Sequence, residues 1–128
     1  MNKTFLITAA VLGALSVMLG AFGAHGLKGR MNAETFEIFE TAIKYQFYHV
    51  FALLAVGIIS QFIPGSFITW SGRCFIAGIV LFCGSLYLLT YFKMINEQHM
   101  NWIGAITPFG GLCFISGWIL LVVAVIRS

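Results

Sequence analysis

Polar positions are rare along this chain, and they fall between four long apolar runs: Phe5–Ala24, Ile43–Ile63, Cys74–Phe92 and Trp102–Ile126. A bilayer core of ~30 Å takes about 20 apolar residues of α-helix to cross. Each run is long enough, so the pattern predicts four transmembrane helices with short connections. The first run also exceeds the roughly 7–15 apolar residues of a cleavable signal and reads as a retained span. Residues 1–128 are then a single membrane domain, and the fold class is all-α.

Within the runs, small residues recur at helical spacing. Ser16, Gly20 and Ala24 lie four apart, Gly13 sits on a neighbouring stripe, and Gly84 and Gly111 follow in spans three and four. No hydrophobic force drives helices together in lipid, so close backbone approach through small residues takes over much of that work. These six are the predicted packing positions. Between spans one and two, Asn32 is a candidate helix cap and Glu34 falls in the first turn, where the helix dipole favours a negative charge. Phe36, Phe39, Ile43 and Phe47 then share a face, which predicts an amphipathic helix in the interface, running or bending into span two. A straight helix from Ala33 to Phe62 would be about 45 Å long, too long for the core, so its first part lies outside. Pro64-Gly65-Ser66 predicts a tight turn before span three, and Pro108 predicts a kink in span four.

Composition sharpens this picture. Only 9% of residues are charged and 60% are hydrophobic, against ~25% charged in soluble domains. The net charge of +3 comes from scattered Lys and Arg that flank the apolar runs, so no basic stripe exists to follow a nucleic acid. Those basic residues divide three to four between the two faces of the membrane and assign no orientation. The three cysteines lie in or at the edge of spans, with no C-x-x-C pair, and read as buried free thiols.

Candidate chemistry is confined to one half of the bilayer. An up-and-down arrangement brings His25 at the end of span one to the level of Gln46 and His49 at the start of span two. Ser85 and Tyr87 in span three and Thr107 in span four join them. Intramembrane polar residues are costly and tend to face the bundle interior. They predict either a ligand-binding pocket opening toward loops one and three, or hydrogen bonds that hold helices together. His25, being next to span two, is expected to approach Gln46 and His49. The chain has no aspartate, its four glutamates are in loops, and no G-x-S-x-G elbow or phosphate-binding loop occurs. His25, His49 and Glu40 match no metal-ligand spacing, so neither metal nor other cofactor is expected, and no catalytic residue is assigned.

Four strings occur in order: Gly20-Ala21-Phe22-Gly23-Ala24-His25-Gly26-Leu27, Tyr45-Gln46-Phe47-Tyr48-His49, Phe82-Cys83-Gly84-Ser85-Leu86-Tyr87, and Ile106-Thr107-Pro108-Phe109-Gly110-Gly111 with Gly117-Trp118. Together they resemble the small membrane proteins grouped as domain of unknown function 423, to which eukaryotic transmembrane protein 256 is similar. Cys83, in place of a serine, and Tyr48, in place of a smaller residue, depart from that pattern. The resemblance implies a bacterial inner-membrane protein with about four spans and brings no established activity. The resulting expectation is a multi-pass cell-membrane protein that is not an enzyme: an accessory, lipid-binding or small-ligand-binding protein. Its expected partners are membrane lipids and either further copies of itself or other subunits of a membrane complex. A permeation pathway for a small solute and a histidine-dependent membrane enzyme are the competing readings.

Overall fold

The computed structural model describes the whole chain apart from the side chain of Gln98. Among the described residues it is all-helical apart from short connections, with four helical stretches long and apolar enough to cross a membrane: Lys3–Arg30, Ala33–Ile59, Ser66–Met94 and His99–Ile126. Span one is α1 (Lys3–Phe22), followed by a π-helical turn (Gly23–Leu27) and a 3₁₀ turn (Lys28–Arg30). Span two is α2 (Ala33–Ile59). Span three is α3 (Ser66–Gly78), a π-helical turn (Ile79–Cys83) and α4 (Gly84–Met94). A 3₁₀ segment (Gln98–Ala105) leads into α5 (Thr107–Ile126).

The starts and stops follow from local chemistry. The Asn2 side chain accepts from the Phe5 N–H at 3.1 Å and caps α1, and Asn32 accepts from Thr35 N–H at 2.7 Å and caps α2. Gly65 has φ +144°, a conformation that residues with a Cβ rarely adopt, and this breaks the chain before α3. At the end of α4, Asn96 takes the left-handed conformation at φ 60°. The Glu97 N–H then bonds the Phe92 carbonyl at 2.8 Å and the Asn96 N–H the Lys93 carbonyl at 3.2 Å. That pair of bonds satisfies the last carbonyls of the helix.

The amphipathic segment and span two are one unbroken helix, about 40 Å long at 1.5 Å per residue. Two expectations need correction. Pro108 lies in the first turn of α5, where its missing N–H has no partner to lose, so it begins that helix instead of kinking it. Span three also begins at Ser66, earlier than Cys74, because the apolar run starts later than the helix that carries it.

The helices are not equally enclosed. In the most apolar window of span one 17% of residues are buried, against 44% for span two. Span two and span three form the centre, with α1 packed mainly on α2 and α5 mainly on α3. The tightest contacts pair glycine with phenylalanine. A Cβ on Gly78 would stand 2.3 Å from the Phe114 ring, and one on Gly117 would stand 2.7 Å from Phe75, so α3 and α5 each offer a ring to the other's hole. At Gly110 a Cβ would lie 2.3 Å from the Phe82 backbone nitrogen, in the π-helical turn of span three.

The predicted packing residues fare differently. Ser16 is fully buried. Cβ positions on Gly13 and Gly20 meet Val50 and Ile43 at 3.5 and 4.0 Å, ordinary contact, and Gly111 meets Phe82 at 4.0 Å. Ala24 is exposed, and Gly84 has nothing within 4 Å, so neither packs against another helix of this chain. Spacing locates a small face on a helix but not the neighbour that comes to meet it.

Candidate functional site

Gln46 is 3% exposed and joins three helices. Its Nε2 donates to the Leu12 carbonyl of α1 at 3.0 Å, and its Oε1 accepts from the Tyr87 hydroxyl of α4 at 2.6 Å. The Leu12 carbonyl also accepts from Ser16 Oγ at 2.7 Å.

One turn further along α2, His49 is also buried. Its Nδ1 lies 2.8 Å from the Tyr45 carbonyl, and Trp118 Nε1 of α5 donates to its Nε2 at 3.1 Å. A carbonyl only accepts and an indole N–H only donates. The ring is therefore neutral, with its proton on Nδ1. Phe114 stacks on it, with centroids 3.5 Å apart and planes 8° from parallel.

Ser85 and Thr107 meet at 2.6 Å. Because the Ser85 hydroxyl donates to the Phe82 carbonyl at 2.9 Å, Thr107 is the donor in their shared bond. Among the described residues no buried side-chain nitrogen or oxygen lacks a hydrogen-bond partner, and no group of three or more His, Cys, Asp or Glu could hold a metal ion.

The structure thus brings Gln46 to Tyr87 and Ser85 to Thr107, with His49 one turn from Gln46. His25 stands apart. It lies exposed in the π-helical turn and takes part in none of these bonds, contrary to the expected approach to Gln46 and His49. The widened turn ends α1 with His25 facing outward.

Two contributors escape sequence reasoning. The Leu12 carbonyl is a main-chain group with no residue signature. Trp118 has one: a tryptophan inside an apolar run needs an acceptor for its N–H when it turns inward. It is half-buried here, so its ring lies partly in lipid while its nitrogen reaches His49.

Open volume lies beside this polar layer. A groove of about 490 Å³ runs between the end of α1, the first half of α2 and α4, walled by Leu19, Phe22, Phe39, Tyr87, Thr90 and Met94. A second groove of about 160 Å³ lies on the other side of Phe39, against Gly20, Gly23 and Ala24. Where loops one and three converge, a polar cleft of about 170 Å³ is lined by Asn32, Glu34, Lys93, Asn96, Glu97 and Asn101. None of these six was singled out as a candidate from the spacing of intramembrane residues, because all lie at helix ends or in loops.

Four spans closed around a satisfied polar layer define a multi-pass α-helical membrane protein. The chain belongs to the family described as Protein of unknown function (DUF423), which matches residues 19–111. It is similar to the UPF0382 membrane protein YwdK of Bacillus subtilis, 40% identical over 126 residues and 98% of each chain. A UPF0382 membrane protein of Staphylococcus saprophyticus is 42% identical over 98% of each chain. One from Staphylococcus haemolyticus is 38% identical over 98% of this chain and 97% of its own. With such relatives the protein is a multi-pass protein of the bacterial cell membrane. No solved structure matches it.

Proposed function

We propose that this protein is not an enzyme but a lipid-binding membrane protein, with its site in the half of the bilayer near loops one and three. The observation that carries the reading is the contrast between a polar layer with no spare chemistry and the open groove beside it. Both nitrogens of His49 are engaged, so a general base would have to break the Trp118 bond first. The groove of about 490 Å³ is walled almost wholly by carbon and opens toward lipid, which suits an acyl chain. Tyr87 belongs to both, since its ring walls the groove while its hydroxyl is held by Gln46. Against permeation, Ser71, buried in the other half, spends its hydroxyl on the Gly117 carbonyl at 2.7 Å and offers no continuation of a wet path.

Native mass spectrometry of the protein released gently from membranes tests this. Wild type is expected to retain a lipid-mass adduct, and Leu19→Trp, which fills the groove, is expected to lose it while unfolding at the same temperature. Met94→Trp is the second filling variant should Leu19→Trp misfold. A bare wild-type protein, or adducts that survive both substitutions, would overturn the reading.

A further inference from the structure

We infer that the ligand is a phospholipid with a primary-amine head group, its phosphate on Lys93, its ammonium on Glu34 and Glu97, and one acyl chain in the groove beneath. This rests on the lipid-binding reading above and adds the chemistry of the head.

The first observation is continuity. The polar cleft and the apolar groove are stacked along the same two helices. On α2, Thr35 lines the cleft and Phe39, about one turn deeper, lines the groove. On α4, Lys93 lines the cleft, while the adjacent Met94 and the deeper Thr90 line the groove. Glu34 lies in the first turn of α2 and Lys93 in the last turn of α4, so the cleft sits at the level where head groups lie. A polar chamber at the loop end of α2 and α4, with a carbon-lined groove on the same two helices, matches the division of a phospholipid into head and tail.

The second observation is charge. Lys93 comes from one wall of the cleft and Glu34 from the other, and among the described residues neither has an opposite charge within 4.0 Å. Glu97 is shared with the exposed His99 at 3.0 Å. Two carboxylates and one ammonium therefore face one cleft without neutralising one another directly. A zwitterion complements this set: its phosphate meets Lys93, and its own cation meets the carboxylates. An anionic lipid would meet two carboxylates for each lysine and be disfavoured.

The third observation separates two kinds of cation. A primary ammonium has three N–H donors, which carboxylates and amide oxygens can accept. A quaternary ammonium has none and is recognised by aromatic rings instead. The cleft is lined by asparagine, glutamate, threonine and lysine, with no aromatic side chain among its described residues. The amide N–H groups of Asn96 and Asn101 are available types of donor for phosphate and glycerol oxygens.

The test uses the full-length protein, stripped of lipid in detergent. It is offered equal amounts of phosphatidylethanolamine, phosphatidylglycerol and phosphatidylcholine with the same chains, and bound masses are read by native mass spectrometry. The expected result is retention of the ethanolamine lipid by roughly fivefold over the other two, as suits partly exposed ion pairs. Glu34→Gln should lower retention of the ethanolamine lipid to that of the other two, whereas Lys93→Gln, which loses a contact all three phosphates share, should lower retention of all three. Leu19→Trp should remove all three. Equal binding of the three lipids, preference for phosphatidylglycerol or phosphatidylcholine, a preference that survives Glu34→Gln, or retention of all three that Lys93→Gln leaves unchanged would overturn this inference and leave the lipid-binding reading standing. Absence of any bound lipid from wild type would overturn both.

Discussion

The seam between α3 and α5 and the end of the bundle where α1 meets α2 and α4 use the same two residue types, glycine and phenylalanine, to opposite effect. Along the seam the arrangement is reciprocal. Phe114 fills the hole at Gly78, Phe75 fills the hole at Gly117, and Gly110 lets the backbone of α5 approach the backbone of span three. At the other end, among the described residues, one such pair joins two helices: Phe39 sits over Gly23, where a Cβ would stand 2.2 Å from its ring. A single ring in a single hole props the helices together at one point, and volume remains on both sides of it, about 490 and 160 Å³. In water such volume would be costly apolar surface. In a bilayer, acyl chains can fill such volume, so a loosely closed end carries little penalty.

The contrast predicts a graded response to substitution. Gly110→Ala should have the largest effect, a loss of about 3 kcal/mol or failure to fold, because its Cβ would meet main-chain atoms of Phe82 that cannot swing aside. Gly84→Ala, with open space around it, should change stability by less than about 1 kcal/mol and in the stabilising direction. Thermal unfolding of both in one detergent compares them, and equal losses would mean that close approach does not hold the seam.

A middle effect is expected where the two regions are tied together. Tyr87→Phe leaves Gln46 Oε1 without its donor, and Trp118→Phe leaves His49 Nε2 without its own. Each should cost about 0.6–2 kcal/mol, the range for hydrogen bonds between membrane helices. Thermal unfolding of each variant in one detergent measures the loss, and unchanged midpoints in both would mean that these bonds do not tie the helices together.

The smallest effect belongs to the groove end. Leu19→Trp should alter stability by no more than about 0.5 kcal/mol while removing bound lipid, since it adds atoms to empty volume. His99→Ala, which removes an exposed contact with Glu97, should fall in the same range. A large destabilisation by Leu19→Trp would mean that this end is as tightly closed as the seam.

Much of the fold was legible in the residues themselves. Run length and the shortage of charge are enough to call for four membrane-crossing helices, because a bilayer offers no solvent for an unsatisfied backbone. Asn32 could be recognised as a cap, and it is one, because its short side chain reaches the Thr35 N–H wherever the helix goes next. The depth of each polar residue was legible too, since depth along a helix follows from residue count.

What position along a helix cannot supply is the direction in which a residue faces and the partner it meets there. Gln46, His49, Ser85, Tyr87 and Thr107 were gathered by depth alone. Only the tertiary structure sorted them into bonds with one another, with Trp118 and with the Leu12 carbonyl, and left His25 outside. The small-residue stripe of α1 was visible by its spacing. That the closest approaches fall at Gly23, Gly72, Gly78 and Gly110 depends on which phenylalanine a neighbouring element turns toward each glycine. The cleft at Glu34 and Lys93 was hidden for the same reason: its walls come from residues some sixty positions apart, and only the packing of α2 against α4 makes them face each other. Hydropathy and helix geometry are properties of one segment, so the sequence by itself determined how many spans there are and how deep each polar group lies. Pairing is a property of two surfaces, and it was decided only when those surfaces met.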